Sequence, residues 1–270
     1  RLLPALYLLL AAYLTYNYFV DAVELRGFFA VPHNILLNVR GALTYTSNWQ
    51  AISDPYSLSD LGHLWSLAIE EQFYLVWPVV LTTCFGIRRR AKAVAWPLIA
   101  LIAVVAIHRV FVYEQNGWLE AYHRTDTRAD GLLIGSLLAS MWVRGRTPRR
   151  HLPEAAWIAT GVAVACLMLS EGKGAFAYYG GLTALNVATA VVILAILESG
   201  GRGRRALEHP ALRAIGKVSY GVYLWHLPTF WAVSRWLDDA PDGVALAVAL
   251  TITAAATVTS WFVIERRAFG

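Results

Sequence analysis

His63-Leu64-Trp65-Ser66-Leu67-Ala68-Ile69-Glu70-Glu71-Gln72-Phe73-Tyr74-Leu75 sets two adjacent carboxylates inside a run otherwise built to enter a membrane. Val76 to Phe85 continues the run, with only Pro78, Thr82 and Thr83 as mild interruptions. A carboxylate at bilayer depth costs at least about 2.5–3.5 kcal/mol on insertion scales. A chain carries that cost where the group faces a bundle interior, a water-filled cavity or a partner. Glu70 and Glu71 therefore mark a candidate intramembrane site.

The rest of the chain agrees with the membrane reading. It is 57% hydrophobic and only 15% charged, against about 25% charged in soluble domains. Mean hydropathy is +0.49. Apolar runs long enough to span fall near 2–20, 66–86, 93–113, 128–143, 153–169, 179–197, 216–237 and 243–264. A weaker run, 27–45, carries Pro32, His33, Asn34, Asn38 and Arg40 and reads as re-entrant or interfacial. The expected fold is an all-α polytopic bundle of about 8–9 membrane segments, in a single domain covering 1–270. Neither an internal repeat nor a linker interrupts it. The chain opens on Arg1 without a signal peptide and reads as a fragment. Cys84 and Cys166 lie in apolar runs and carry no redox message.

The net charge of +5 is a topology signal, and no nucleic-acid partner is expected. Basic residues concentrate at Arg88–Lys92, Arg144–Arg150, Arg202–Arg205 and Arg266-Arg267, which the positive-inside rule assigns to the cytoplasm. The acidic loop Asp238-Asp239-Ala240-Pro241-Asp242 and the nearly neutral Glu171–Tyr178 fall on the other side.

Three polar constellations interrupt the apolar runs. In the first, Ser66 and Glu70 share a helical stripe, and His63 continues it seven residues before Glu70. That arrangement suits proton transfer or the holding of a reacting hydroxyl. It equally suits an ion pair that locks two helices. The second is His123-Arg124-Thr125-Asp126-Thr127-Arg128-Ala129-Asp130-Gly131, where Thr127 can cap a helix. Arg124 and Arg128, with Asp130, could grip an anionic group, or form a capped, solvated helix start. Gly131 and Gly135 permit a close helix contact. The third places Ser219, Tyr223 and His226 on one stripe near mid-depth, as a polar path or as a satisfied core histidine. His108 and Arg109 lie in an apolar run, where Arg109 is expected to snorkel or pair. The chain has no phosphate loop, no nucleophile elbow and no metal helix, so no metal is expected.

Together, His63–Leu75, Thr127–Gly135 and Ser219–His226 resemble, in order, the signature blocks of the acyltransferase 3 family. Arg1-Leu2-Leu3-Pro4-Ala5-Leu6 is similar to the end of that family's basic motif. The resemblance implies a membrane O-acyltransferase of the bacterial cytoplasmic membrane, with membrane lipid around it. Its co-substrate would be acetyl-CoA or another acyl-CoA. Its acceptor would be a cell-surface carbohydrate or a glycosylated small molecule. The resemblance also implies that the first two helices, with the family's essential histidine, precede Arg1, so that the fragment alone is expected to be inactive. Glu70 would orient that histidine, Arg128 and Asp130 would shape the cavity or bind donor, and Arg1 would meet CoA phosphates. The competing class is a proton-coupled transporter or flippase, which also uses intramembrane carboxylates and histidines. No two halves of the chain match as transporter repeats often do.

Overall fold

The computed structural model describes residues 3–23, 33–54, 60–85, 95–143, 145, 151–170, 173–198 and 202–266. All regular structure among them is helical. The long helices are α1 (Leu3–Val23), α4 (Leu64–Phe85), α5 (Ala95–Asn116), α7 (Thr125–Val143), α8 (Leu152–Leu169), α9 (Leu182–Glu198), α11 (Pro210–Trp236) and α12 (Asp242–Ser260). Short helices α2 (His33–Leu43), α3 (Ser47–Ser53), α6 (Trp118–His123) and α10 (Arg202–Leu207) fill the connections.

Among the described residues, five segments are long and apolar enough to cross a membrane: Leu3–Val20, Ala95–Asn116, Leu152–Leu169, Ala177–Glu198 and Asp242–Ile264. The expected eight or nine is not confirmed by this criterion. The runs at 66–86, 128–143 and 216–237 do form α4, α7 and α11. Each is diluted by the polar groups that drew attention to it: Glu70 and Glu71, Thr125 to Asp130, and Lys217 to His226. The weak run at 27–45 yields α2, whose 11 residues rise only about 16 Å. That is about half the hydrocarbon thickness.

Large apolar side chains lie on the surface, while several polar ones are enclosed alongside an apolar core. On α8, Trp157 and Met168 are 80% and 81% exposed. Large apolar surface of this kind is unfavourable in water and neutral against lipid tails. The fully enclosed side chains include Arg109, Asn38, Asn48, Thr127 and Asp130. Polar groups inside and apolar groups outside are what a low-dielectric solvent selects.

The chain divides into two compact units, Arg1–Trp65 with Glu208–Gly270, and Ser66–Leu207. In the first, α11 and α12 form the dominant helix pair and α1 packs on α11. In the second, α5 pairs with α7, α8 with α9, and α7 with α9. Leu98, Val105 and Leu133 form an apolar core, against which Phe73 and Trp77 of α4 pack. Gly131 permits the α7–α9 approach, since a Cβ there would stand 3.0 Å from the Asn186 amide. Gly135 faces open space and makes no such contact. Before α9 the turns widen at Ala177–Gly181, where Gly180 takes φ 150°. That backbone is open essentially to glycine.

At the centre of the second unit lies Arg109, 0% exposed. Its Nη1 donates to Asp130 Oδ2 at 2.9 Å and to the Thr127 carbonyl at 3.1 Å. Its Nε donates to the Tyr178 carbonyl at 3.4 Å, and its Nη2 bonds Thr183. Thr183 Oγ1 in turn donates to Asp130 Oδ2 at 2.6 Å. One guanidinium thus ties α5, α7, the wide turns and α9 into a closed polar knot. Arg109 pairs and does not snorkel.

Candidate active site

In the first unit, the turn Asp60–His63 brings His63 against α11. His63 stands just outside α4, which starts at Leu64, so the shared helical stripe begins at Ser66 and reaches Glu70. The His63 ring meets His226 with centroids 5.0 Å apart and Tyr223 at 5.1 Å. Tyr223 Oη donates to the His63 carbonyl at 2.5 Å, which fixes the turn to the helix. The spacing of three between Tyr223 and His226 puts both on one face of α11, as their stripe predicts.

The tautomer of His226 follows from its partners. Nδ1 lies 2.7 Å from the Tyr223 carbonyl and 3.3 Å from that of Val222. Carbonyls only accept, so Nδ1 carries a proton, which in the neutral tautomer leaves the lone pair on Nε2. A neutral imidazole held in this way is a base with a fixed direction. Pro228, two residues on, has no N–H, so the Leu224 carbonyl loses its helical donor. His63 sits by that backbone.

His63 is a different kind of group. Neither ring nitrogen meets a partner at hydrogen-bond geometry, although both are buried. Burial, then the field of His226, pushes its pKa from 6.5 down to about 4, with the Leu224 backbone pulling partly back. The unfolded chain takes up this proton as the pH falls through 6.5, whereas the folded chain resists until about 4. Its contribution to stability is therefore complete above pH 6.5 and lost progressively towards pH 4. His63→Phe should reduce the drop in melting temperature between pH 7.5 and pH 5 in detergent. An equal drop in variant and parent would assign the acid sensitivity elsewhere.

In the second unit, the charged run does not start at a Thr127 cap. The helix begins two residues earlier, at Thr125. Thr127 is buried and its hydroxyl donates back to the carbonyls of Ala121 and Arg124, both at 2.9 Å. Arg124 pairs with Asp126 at 2.7 Å and with Glu120 at 3.2 Å. Asp126 also meets His108 Nε2 at 3.0 Å. Arg128 lies over the Tyr122 ring at 5.0 Å, and Asp130 is taken up by Arg109 and Thr183. Ser66 and Glu70 lie on α4, half-buried, with Glu71 beside Glu70. Among the described residues, no group of three His, Cys, Asp or Glu side chains is placed to hold a metal ion. Arg1 lies outside the described residues.

The profile of the acyltransferase 3 family, an acyltransferase domain, matches residues 1–266. This chain belongs to the acyltransferase 3 family. It is 32% identical over 244 residues to the putative peptidoglycan O-acetyltransferase YrhL of Bacillus subtilis, covering 84% of this chain and 37% of that protein. It is 32% identical over 269 residues to the peptidoglycan O-acetyltransferase OatA of Listeria monocytogenes, covering 92% and 41%. A putative O-acetyltransferase of Staphylococcus aureus is 30% identical over 256 residues, covering 88% and 41%. The chain spans about two fifths of the length of these relatives. No solved structure gives a significant match.

For this acyltransferase 3 chain, the motif residues His63, Tyr223 and His226 come together across 160 positions of sequence. Arg124 and Asp126 also meet. Spacing alone did not reveal the convergence of Arg109, Asp130 and Thr183, because their separations of 21, 74 and 53 residues depend on tertiary packing. A buried arginine in an apolar run was the one available signal.

Proposed function

We propose that this chain is the membrane domain of an O-acyltransferase that moves an acyl group, acetyl in the first instance, from acyl-CoA to a hydroxyl of a cell-surface carbohydrate. The observation that carries the reading is the family match over 1–266, with relatives named as O-acetyltransferases. We assign the protein to the bacterial cytoplasmic membrane and take α4, α7 and α11 as further spans beside the five apolar ones.

The transfer is a general-base reaction. His226 Nε2 accepts the proton of the acceptor hydroxyl, and the oxygen attacks the thioester carbonyl carbon. The C–O bond forms, the tetrahedral adduct collapses, the C–S bond breaks, and the imidazolium returns its proton to the leaving thiolate. The Nδ1–H bonds to the Val222 and Tyr223 carbonyls support this role, because they orient the ring and stabilise its protonated form. His63 and Tyr223 hold that ring in place from the adjoining turn and helix face. Glu70 is the carboxylate that the family resemblance assigns to orienting a catalytic imidazole. Arg1 is the cationic group assigned to the donor's phosphates, Arg124 and Arg128 to an anionic group of a substrate, and Ser66 to a substrate hydroxyl. Asp130 acts indirectly, by fixing α7 through Arg109.

Radiolabel transfer from acetyl-CoA in membranes carrying the protein tests the reading, with Glu70→Gln as control. Label should enter a glycan fraction with the parent and fall by about 10²-fold or more with Glu70→Gln, at equal membrane abundance. Retained transfer in Glu70→Gln would remove Glu70 from the mechanism. Absence of label with the parent would reject acetyl transfer from acetyl-CoA.

A further inference from the structure

The first unit contains a cavity of about 980 Å³ bounded by α1, α11, α12 and the turn at Asp60. This is near the upper end of ordinary ligand sites. Aromatic side chains dominate its wall: Tyr13, Tyr16, Trp225, Trp231 and Trp236. Tyr16 and Trp236 are locked to one another, Trp236 Nε1 donating to Tyr16 Oη at 2.7 Å. The charged lining groups are Asp60, Asp238 and Arg235. Trp225 Nε1 is buried without a partner.

We propose that this cavity is the acceptor subsite, taking a carbohydrate from the non-cytoplasmic side of the membrane. The inference rests on the acyltransferase reading and adds to it where the acceptor binds. Three observations carry it. The first is depth. On α11 the wall runs from Trp225, mid-helix, to Trp236 at its last residue, and on to Asp238 in the acidic loop. On α12 it uses Val248, before mid-helix as counted from the same loop, and Ile252, just past it. Basic Arg202–Arg205 precedes the opposite end of α11. By the positive-inside rule the cavity opens away from the cytoplasm.

The second is charge. Two carboxylates against one guanidinium repel a polyphosphate such as CoA, but suit a neutral or amino sugar. The third is the mixture of groups. A sugar ring offers apolar C–H faces to Trp and Tyr and hydroxyls to Asp60, Asp238, Thr229 and Ser234. A lipid tail filling the same space would set hydrocarbon against the Asp60 and Asp238 carboxylates. His226, the residue after Trp225, lies on the adjoining face of α11.

Calorimetric titration of the detergent-solubilised protein with a soluble N-acetylglucosamine tetrasaccharide, and separately with acetyl-CoA, tests the site. Asp60→Asn and Asp238→Asn conserve shape and remove one carboxylate each. Each should weaken tetrasaccharide binding by roughly tenfold or more while leaving acetyl-CoA binding unchanged. Val248→Trp, which fills the cavity without touching a polar group, should block the tetrasaccharide and serves as the second test if either polar variant folds poorly. Unchanged tetrasaccharide binding in the folded variants, absence of binding to the parent, or loss of acetyl-CoA binding instead would each overturn the proposal. Binding is read without turnover, so a parent that binds the tetrasaccharide but transfers no acetyl group would reject the donor chemistry and keep the site.

Discussion

Asp130→Ala should destabilise the second unit by about 3–5 kcal/mol, which makes it the most damaging single change to folding among the polar residues considered. The Arg109 and Asp130 side chains are 0% and 1% exposed, and they meet at 2.9 Å. Removing the carboxylate leaves a guanidinium enclosed without its counter-charge, and strips Thr183 of its acceptor. The cost is that of an uncompensated buried cation, larger than the net worth of the pair. Arg109→Met with Asp130→Leu should recover much of the loss, because apolar groups of similar volume need no partner. Chemical or thermal denaturation in detergent of the single and double variants separates these cases. If Asp130→Ala melts with the parent, the knot is not a stabilising element. If the double variant is stable yet inactive, Asp130 has a role in binding that its geometry does not disclose.

Much of the architecture was legible in the apolar runs. Eight of them became α1, α4, α5, α7, α8, α9, α11 and α12, with boundaries displaced by a few residues. The number that qualify as spans on composition alone was not legible, because polar function and apolar span compete within the same helix. Glu70 and Glu71 lower the hydropathy of α4, and Lys217 to His226 that of α11. At the site, helical periodicity predicted that Tyr223 and His226 share a face, and they do. It wrongly extended the α4 stripe back to His63, since nothing local says that a helix starts at Leu64 and not one residue before. Thr127 looked like a cap for a related reason. Its hydroxyl found carbonyl acceptors at Ala121 and Arg124 once α6 was in place, and the helix began at Thr125. The Arg109 knot and the aromatic cavity lie beyond any local pattern, because each assembles side chains from three or more elements that only the packed units bring together.

His226→Gln should lower kcat by about 10²–10⁴-fold with little change in either KM. The imidazoles of His63 and His226 pack against one another, yet only one suits proton transfer. His63 is held near pKa 4 by burial and by His226, so at neutral pH it is a weak base, and its ring nitrogens lack oriented partners. His226 has its Nδ1 proton committed to backbone carbonyls and its Nε2 lone pair available. Glutamine retains size and polarity but cannot carry the proton, so a loss confined to kcat reports chemistry and not packing. His63→Gln should cost much less, on the order of tenfold or below, through loosening of its neighbour and not through lost basicity. Tyr223→Phe should resemble His63→Gln, because it releases the His63 carbonyl while leaving the His226 tautomer intact. Steady-state transfer to a soluble glycan acceptor, with melting temperature as a control on folding, measures all three. A His226→Gln protein that is folded and keeps a tenth of parental kcat would move the base to another residue. Equal losses in His63→Gln and His226→Gln would instead make the two rings a single proton-sharing unit.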